Sequence, residues 1–395
     1  MKISVVGQGY VGLPLAIAAA NSGLTVYGID VNEEKISRLK RGTSFIEDIS
    51  DTVIKNLVDS GRYIPTTDEK LVRESEVILI CVPTPLTPDH KPDLTALISA
   101  TRAVGKNLKS GSLVIVESTI EPGTCRRKLL PILTQESRLT EGDFYLAYSP
   151  ERIDPLNKNW GISNTPKLVA GITESATEIA EAFYAKFINS LTRCSSVEIA
   201  ETAKLLENSF RLVNISFINE LAIFCHKIGI DIKEVISAAA TKPYGYMPFF
   251  PSIGAGGHCI PVDPIYLASA AKAVGASTRF IDLADKINQE IPSYFVGRAE
   301  EKLSGLKNKK VLVVGVSYKP NVADVRESPA VALINGLKQR GAKVSWHDDL
   351  VKEWNGEKSV ALGDNFDLAI IATPHDYLDL AKLGNVLILE TRGSI

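Results

Sequence analysis

Cysteine, excess charge of one sign and long apolar runs are all scarce in this sequence of 395 residues. The five cysteines lie far apart and form no CxxC pair, so neither a disulfide framework nor a metal site is expected. The net charge is -2, and no basic block stands out. Long-range attraction to nucleic acid or to an anionic membrane is therefore not expected.

The apolar stretch that opens the chain is too interrupted to be a membrane or targeting segment. Residues 3–20 include Gly7, Gln8, Gly9, Gly12 and Pro14, and the basic start and cleavage site of a signal peptide are missing. We therefore expect a cytoplasmic protein. The composition, with 45% hydrophobic and 23% charged residues, is that of a globular chain, and its length predicts two or three domains.

Short β-rich runs alternate with helical patterns in the first half of the chain. The runs lie at residues 2–6, 24–29, 76–82, 112–117 and 144–148. The segments between them are long enough for crossover helices, and this repeated order predicts an α/β domain with a parallel, doubly wound sheet.

The pattern changes near residue 197. Residues 197–227 contain no Gly or Pro and have apolar residues at helical spacing, which predicts one long helix. A loop at 242–264 and a helix at 277–303 follow, and strands resume at 310–316, 343–347, 367–372 and 386–389, with a helix at 329–340. We therefore predict two Rossmann-like domains, at 1–192 and 301–395, that flank a helical domain at 193–300. The long helix has two apolar faces, so a homodimer through one of them is expected.

A glycine motif follows the first predicted strand and opens a helix. Gly7 permits a tight turn, Gly9 lets the backbone approach a pyrophosphate, and Gly12 lets helix and strand pack closely. Asp30 ends the second strand, where its carboxylate can bind a ribose 2′-hydroxyl and would repel a 2′-phosphate. This context favours NAD over NADP, and the alternative is a Rossmann-like domain that binds no nucleotide. The last α/β unit has Gly315 but lacks the three-glycine pattern.

Cys259 lies in a glycine-rich loop beside His258, with Asp263 four residues further on. A cysteine in a polar loop is a candidate nucleophile, although a packing role is the alternative. On the long helix Lys204 and Asn208 are four residues apart and share a face. They could project into a cleft, or they could be solvated polar residues.

Polar residues also follow two predicted strands, at the edge of a sheet where α/β proteins bind ligands. Ser118 and Thr119 follow the fourth strand, and Glu151 and Arg152 follow the fifth. The alternative for each is ordinary loop chemistry such as helix capping.

Together these motifs resemble the UDP-glucose/UDP-mannuronate dehydrogenase family over nearly the whole chain. The matching segments are 7–16 (GQGYVGLPLA), 81–85 (CVPTP), 117–124 (ESTIEPGT), 149–152 (SPER), 204–208 (KLLEN), 256–264 (GGHCIPVDP) and 318–329 (YKPNVADVRESP). The resemblance implies an NAD-dependent oxidation of the C6 alcohol of a UDP-hexose to a carboxylate, with two NAD⁺ consumed. The product would be a uronic acid precursor for a polysaccharide or glycan.

The resemblance also implies a role for each matching residue. The residues implied to bind NAD are Gly7, Gly9, Tyr10, Val11, Gly12, Asp30, Lys35, Pro83, Thr84, Ser118, Thr119 and Arg326. Those implied to bind the UDP-sugar are Glu151, Arg152, Lys204, Asn208, Phe250, Gly256, His258, Lys319 and Arg392. The implied catalytic residues are Cys259, Lys204, Asn208, Asp263, Glu151 and Thr119.

The implied mechanism uses the Cys259 thiolate to convert an aldehyde into a thiohemiacetal and then a thioester. Lys204 and Asp263 would assist the first proton removal through water, and Lys204 and Asn208 would stabilise the oxyanions. Glu151 would be the base for hydrolysis. A thiolate suits this chemistry because it adds readily to a carbonyl and leaves well.

His258 before the cysteine and Arg152 after Glu151 depart from the UDP-glucose branch and resemble enzymes of UDP-N-acetylhexosamines, as does the segment 240–249 (ATKPYGYMPF). UDP-GlcNAc is the first expectation, UDP-GalNAc or UDP-ManNAc the next, and UDP-glucose the last. The alternatives from other classes are a two-electron hydroxyacid dehydrogenase and a non-catalytic nucleotide-sugar sensor. Neither requires the combination of Cys259, Lys204 and Asp263.

Overall fold

The computed structural model describes residues 1–46, 49–154, 157 and 159–392. The chain divides into two units, Met1–Leu206 and Glu207–Ile395. This division falls inside one long helix, and each unit is described below by itself. The predicted division into three domains stays a prediction.

Eight strands form the sheet of the first unit. They are Lys2–Val6 (β1), Thr25–Ile29 (β2), Tyr63–Thr66 (β3), Val77–Ile80 (β4), Leu113–Val116 (β5), Tyr145–Tyr148 (β6), Lys167–Gly171 (β7) and Leu191–Arg193 (β8). Their order is β3-β2-β1-β4-β5-β6-β7-β8. All neighbours are parallel except β6 and β7. The sheet therefore has the doubly wound order that was predicted, with one reversal near its end.

Helices connect these strands. They are Gly12–Asn21 (α1), Glu33–Lys40 (α2), Asp51–Asp59 (α3), Thr95–Asn107 (α4), Leu130–Ser137 (α5) and Glu174–Tyr184 (α6), with a 3₁₀ segment at Glu69–Glu74 and a π-helical turn at Cys125–Leu129. Asn32, Ser50 and Thr173 cap α2, α3 and α6 by accepting a backbone N–H with their side chains. Strands β4 and β5 are buried at every residue, as is typical of central parallel strands covered on both faces.

The second unit begins within a helix of 32 residues, Val197–Ile228 (α7), which is about 48 Å long at 1.5 Å per residue. Three more helices follow, at Ile232–Ala240 (α8), Asp263–Ala273 (α9) and Arg279–Leu303 (α10). Between α8 and α9 the described chain is loop, whereas the loop was predicted for residues 242–264; its last two residues belong to α9, which begins at Asp263.

A smaller parallel sheet completes the second unit. Its strands are Lys310–Val314 (β9), Lys343–His347 (β10), Leu368–Ile371 (β13) and Leu387–Glu390 (β14), in the order β10-β9-β13-β14. Helix Ala330–Gln339 (α11) follows β9, and Glu353–Trp354 (β11) and Glu357–Lys358 (β12) form a separate hairpin. The core includes Trp346, which is buried between this sheet and its helices.

Three strands of the first unit were not predicted. Strand β3 contains Pro65 and lies at the sheet edge, where a missing backbone N–H is tolerated. Strands β7 and β8 follow a long polar loop, and β8 has only three residues. The reversal at β7 is possible because the described residues between β6 and β7 include no crossover helix.

Within the described ranges, no helix combines the length and the apolar character needed to cross a bilayer.

Candidate active site

The three glycines after β1 have different surroundings. Gly7 has a φ of +92°, and a Cβ there would lie 2.5 Å from the carbonyl oxygen of Cys81, so only glycine fits this turn. A Cβ at Gly12 would overlap the carbonyl oxygen of Gly7. At Gly9, in contrast, a Cβ would meet no described atom within 4 Å. The loop is therefore tight at its two ends and open in the middle, where a phosphate group could approach the backbone.

Asp30 lies directly after β2 and is almost fully buried. One of its carboxylate oxygens accepts the backbone N–H of Gln8 at 2.8 Å and the ammonium of Lys35 at 2.8 Å. The side chain of Gln8 is held in turn by the hydroxyl of Tyr63, which donates to it at 2.7 Å. These bonds fix the carboxylate at the edge of the glycine loop, within the βαβ unit where the ribose of a dinucleotide binds.

The other residues predicted to line the cofactor site follow β4 and β5. Thr84 and Ser118 are buried, and the Ser118 hydroxyl donates to the carbonyl of Val82 at 2.7 Å. Thr119 is half-buried, while Pro83 and Tyr10 are exposed. Because the carboxyl ends of parallel strands meet at one edge, these residues share that edge with the glycine loop.

Glu151, after β6, is held on both carboxylate oxygens. One oxygen accepts the backbone N–H groups of Arg152 and Ile153, at 2.6 and 2.8 Å. The other lies 3.5 Å from the ammonium of Lys167. The Arg152 guanidinium donates to the carbonyl of Pro166 at 2.7 Å, so this loop is tied to the chain that leads into β7.

Glu117 contacts Lys167 and is buried. Lys167 donates to it at 2.6 Å, and the hydroxyl of Tyr184 donates to its other oxygen. Burial raises the pKa of Glu117 to about 7, against the opposing effect of Lys167. Burial alone would lower the pKa of Lys167, but Glu117 and Glu151 raise it above its ordinary value.

Helix α7 buries polar residues near its start. Lys204 and Asn208 lie one turn apart and are 8% and 6% exposed. Glu201 is also buried and accepts the backbone N–H groups of Gly123 and Cys125. The interpretation of these residues as solvated charge is therefore wrong, because the helix turns this face toward the protein interior.

Asn208 and Asp263 form a buried pair in the second unit. The Asn208 amide donates to the Asp263 carboxylate at 2.6 Å. Asp263 is the first residue of α9, and its backbone N–H donates to the carbonyl of Cys259 at 2.9 Å. Cys259 thus lies in the turn that leads into α9, near the end of the helix that favours negative charge. Cys259 is exposed, whereas Cys81, Cys125 and Cys225 are buried.

The glycines before Cys259 pack against the loop that follows β9. A Cβ at Gly256 would lie 2.6 Å from the carbonyl oxygen of Glu327, and one at Gly257 would lie 2.7 Å from the Tyr318 ring. The backbone N–H of Gly257 donates to the Arg326 carbonyl at 3.3 Å. Burial, and then the Arg326 guanidinium, lower the pKa of the neighbouring His258. The structure thus brings His258 and the loop of Lys319 and Arg326 together.

The remaining predicted residues of this unit differ in their exposure and contacts. The Arg326 guanidinium is half-exposed and pairs with Asp324 at 2.6 Å. Phe250 is 54% exposed. Arg392 directly follows Thr391, and burial lowers its pKa from the ordinary value.

Three family models match the chain in order. Residues 1–188 match the NAD binding domain of the UDP-glucose/GDP-mannose dehydrogenase family, residues 198–290 match its central domain, and residues 312–393 match its UDP binding domain. The chain belongs to the UDP-glucose/GDP-mannose dehydrogenase family. This dehydrogenase is an NAD-dependent enzyme of UDP-sugars, and the open space above Gly9 and the fixed carboxylate of Asp30 fit the NAD it uses.

Its relatives act on several N-acetylated sugars. The dehydrogenase is 35% identical to a UDP-N-acetyl-D-glucosamine 6-dehydrogenase from Pseudomonas aeruginosa, over 89% of this chain and 83% of that protein. It is 33% identical to the solved UDP-D-ManNAc dehydrogenase from Pyrococcus horikoshii, with a TM-score of 0.92 and coverage of 99% and 95%. It is 30% identical to an NDP-N-acetyl-D-galactosaminuronic acid dehydrogenase from Methanosarcina mazei Go1, with a TM-score of 0.83 and coverage of 99% and 91%.

Sequence reasoning missed the residues that support this site. In the dehydrogenase Asp348, after β10, accepts the backbone N–H of Val316 at 2.9 Å and a hydrogen bond from His375 at 3.1 Å, and both side chains are buried. Asp348 thus repeats in the second sheet the position of Asp30 in the first. The position of Asp348 at the end of the second strand of its sheet could have indicated this role. No local pattern indicated the contact between Glu117 and Lys167, because they are 50 residues apart.

Proposed function

We propose that this dehydrogenase oxidises the C6 alcohol of a UDP-N-acetylhexosamine to the uronate, in two steps that consume two NAD⁺. The buried Asn208–Asp263 pair, with exposed Cys259 four residues before Asp263, is the observation that carries the proposal. A two-electron dehydrogenase needs no nucleophile beside such a pair. The family match and the relatives named above support the same reaction class.

In the first oxidation the C6 alcohol loses a hydride and a proton. Bound NAD⁺ supplies the hydride acceptor, and it would be held by the glycine loop, Asp30 and Lys35. The proton passes to a water assisted by Lys204 and Asp263. Asn208 retains a second amide N–H beside the one bound to Asp263. That N–H and the Lys204 ammonium stabilise the developing oxyanion.

In the second oxidation the Cys259 thiolate adds to the aldehyde carbon. The thiohemiacetal then loses the proton of its hydroxyl to water and a hydride, for which a second NAD⁺ would be the acceptor, and becomes a thioester. The addition is needed because an aldehyde alone is a poor hydride donor. A water adds to the thioester, the thiolate leaves, and Glu151 takes the proton of that water. The protein thereby ends each turnover with a free Cys259 and a carboxylate product.

The sugar specificity is proposed from three features. His258 lies beside the nucleophile, Arg152 follows Glu151, and residues 240–249 resemble those of UDP-GlcNAc 6-dehydrogenases. We place UDP-GlcNAc first, UDP-ManNAc and UDP-GalNAc next, and UDP-glucose last. Discrimination among epimers rests on pocket differences of about 1–3 kcal/mol, so it is decided by assay.

The test is NADH formation at 340 nm with purified protein, excess NAD⁺ and each UDP-sugar in limiting amount. Two NADH per sugar are expected with the true substrate. One NADH would show release of the aldehyde and would remove Cys259 from its role. Cys259→Ser is expected to form no acid, while Cys194→Ser, which changes the other cysteine that is not buried, keeps full turnover as the matched control.

We also propose a homodimer through α7. Phe210, Phe217 and Phe224 repeat every seven residues along the helix and are 45–59% exposed, so they form one apolar face. Sedimentation velocity is expected to give a dimer for the wild type and a monomer for Phe217→Glu. Phe280→Glu changes an exposed phenylalanine on α10 and is expected to remain dimeric. A monomeric wild type would refute this assignment.

A further inference from the structure

Lys167 makes one set of contacts that the reaction scheme does not use. Its ammonium has three N–H donors and three acceptors around it. These are Glu117 at 2.6 Å, the carbonyl of Pro150 at 3.3 Å, and Glu151 at 3.5 Å. The Lys167 side chain is only 6% exposed, and a buried ammonium is costly unless it is paired in this way.

Glu117 and Tyr184 fix the position of the Lys167 ammonium. Glu117 is 2% exposed and is itself held by the Tyr184 hydroxyl. The aromatic ring of Tyr184 lies 5.3 Å from the Lys167 ammonium. Lys167 is on β7 and Glu117 directly follows β5, so the anchor belongs to the rigid sheet rather than to a loop.

Glu151, in contrast, lies in a loop and has no strand of its own. Its only described cationic partner in the first unit is Lys167, and its other oxygen accepts two backbone N–H groups of its own turn. The link from Lys167 to Glu151 and to the neighbouring carbonyl of Pro150 therefore ties the loop to the sheet. The same contact, together with the two backbone N–H groups, holds both carboxylate oxygens of Glu151 in one orientation.

We propose that Lys167 is a positioning residue for Glu151, which holds this carboxylate oriented to take the proton of the attacking water. The inference rests on the proposed function for the role of Glu151 in hydrolysis. The contact itself is a property of the first unit alone. Lys167 contacts Glu151, so its proposed effect on the reaction is exerted through Glu151.

The titratable groups that face Lys167 come from four elements. They are Glu117 after β5, Glu151 after β6, Tyr184 on α6 and Cys81 after β4.

The experiment is a ¹³C NMR measurement, at one neutral pH, of the Glu151 carboxyl signal in protein labelled at glutamate, with the signal assigned by its loss in Glu151→Gln. In Lys167→Met this signal is expected to shift and broaden, because the carboxylate loses the ammonium that lies 3.5 Å from it. Lys167→Arg keeps a cationic donor and is expected to restore the signal. Lys2→Met removes an exposed lysine that is also paired at 2.6 Å, with Glu74, and leaves the signal unchanged.

The kinetic arm measures kcat and the amount of Cys259 thioester trapped by acid quench during turnover. In Lys167→Met kcat is expected to fall and the thioester to accumulate, because hydrolysis is the step that uses Glu151. A purely structural role would lower kcat without accumulation of the thioester. If Lys167→Met fails to fold, Lys167→Met/Glu117→Gln removes both members of the buried pair and is measured in its place, with the same expected direction.

A folded Lys167→Met protein whose Glu151 signal matches that of the wild type would overturn the inference. The NMR measurement needs no substrate, so it also separates the two proposals. If the wild type oxidised none of the sugars, the proposed function would fail, while the NMR signal would still decide whether Lys167 positions Glu151.

Discussion

The Asn208–Asp263 hydrogen bond provides the most direct test of the proposed chemistry. Asn208→Ala removes the amide that donates to Asp263 at 2.6 Å, in a place where the two side chains are 6% and 2% exposed. The substitution has two separable consequences. It takes away a bond to a buried carboxylate, which affects folding, and it takes away the N–H proposed for the oxyanion, which affects turnover.

The magnitudes follow from the geometry. A hydrogen bond to a charged group contributes about 1.5–3 kcal/mol net, so the free energy of unfolding is expected to fall by that amount. Loss of one oxyanion donor costs about 2.7–4 kcal/mol of barrier, or about 10²–10³ in kcat. Asp263→Asn keeps the shape and a neutral hydrogen bond of about 0.5–1.5 kcal/mol, so the loss of stability is smaller.

The assay combines urea unfolding with kcat for NADH formation at saturating UDP-sugar. In a double-mutant cycle the effects of Asn208→Ala and Asp263→Asn on stability are expected to be non-additive by about 0.5–3 kcal/mol, because the residues are in contact. Asn214→Ala is the matched control on the same helix, since its amide bonds only a carbonyl of that helix in the described contacts. If Asn208→Ala kept wild-type kcat, the oxyanion role would be refuted. Additive effects on stability would refute the coupling.

Three further predictions concern other parts of the molecule. In Gly9→Ala the new methyl group meets no described atom, so thermal stability is expected to stay unchanged while NAD⁺ binding weakens. In Gly12→Ala the methyl group overlaps the loop backbone, so NAD⁺ binding weakens and stability falls by about 1–3 kcal/mol. Calorimetry measures the binding and thermal melts measure the stability, and equal effects of the two variants would contradict an open site at Gly9. Glu117 has a pKa raised from 4.5 to about 7 by burial, so its stabilising effect is present below pH 4.5 and is lost as the pH rises through 7. The unfolding free energy of the wild type relative to Glu117→Gln is therefore expected to fall by about 3 kcal/mol over that interval, at about 1.36 kcal/mol per unit, and a constant difference in urea unfolding would refute it. His375→Ala removes the partner of the buried carboxylate of Asp348 and is expected to cost about 1–3 kcal/mol, measured by thermal unfolding, with an unchanged melting temperature as the contrary result.

Much of the fold was predictable because its signals are local. Strand β1, strand β10 and the start of α7 lie where the sequence placed them, since hydrophobic periodicity is read from neighbouring residues. Strands β7 and β8 were missed because they pair at the end of a sheet after an irregular loop. The antiparallel direction of β7 is decided by that pairing, which no local pattern encodes.

The site divides in the same way. The glycine loop, Cys259 and the Lys204–Asn208 spacing are contiguous or helical patterns, so the residues were found from the sequence and their roles remain proposals. The residues that hold these side chains in place are not contiguous with them in the sequence. From the sequence alone Glu201 could be a solvated charge on the helix. In the structure it accepts the backbone N–H groups of Gly123 and Cys125.

The sequence by itself determined the alternation of strands and helices, the family and the chemical groups available, because each depends on residue types at short, fixed spacing. Only the tertiary structure decided which of the charged groups form ion pairs with one another. Glu117, Glu151 and Lys167 are separated along the chain, and they meet because β5, β6 and β7 are neighbours in one sheet. Burial there sets the cost of each charge and therefore which group must pair with which, and burial is a property of the folded chain alone.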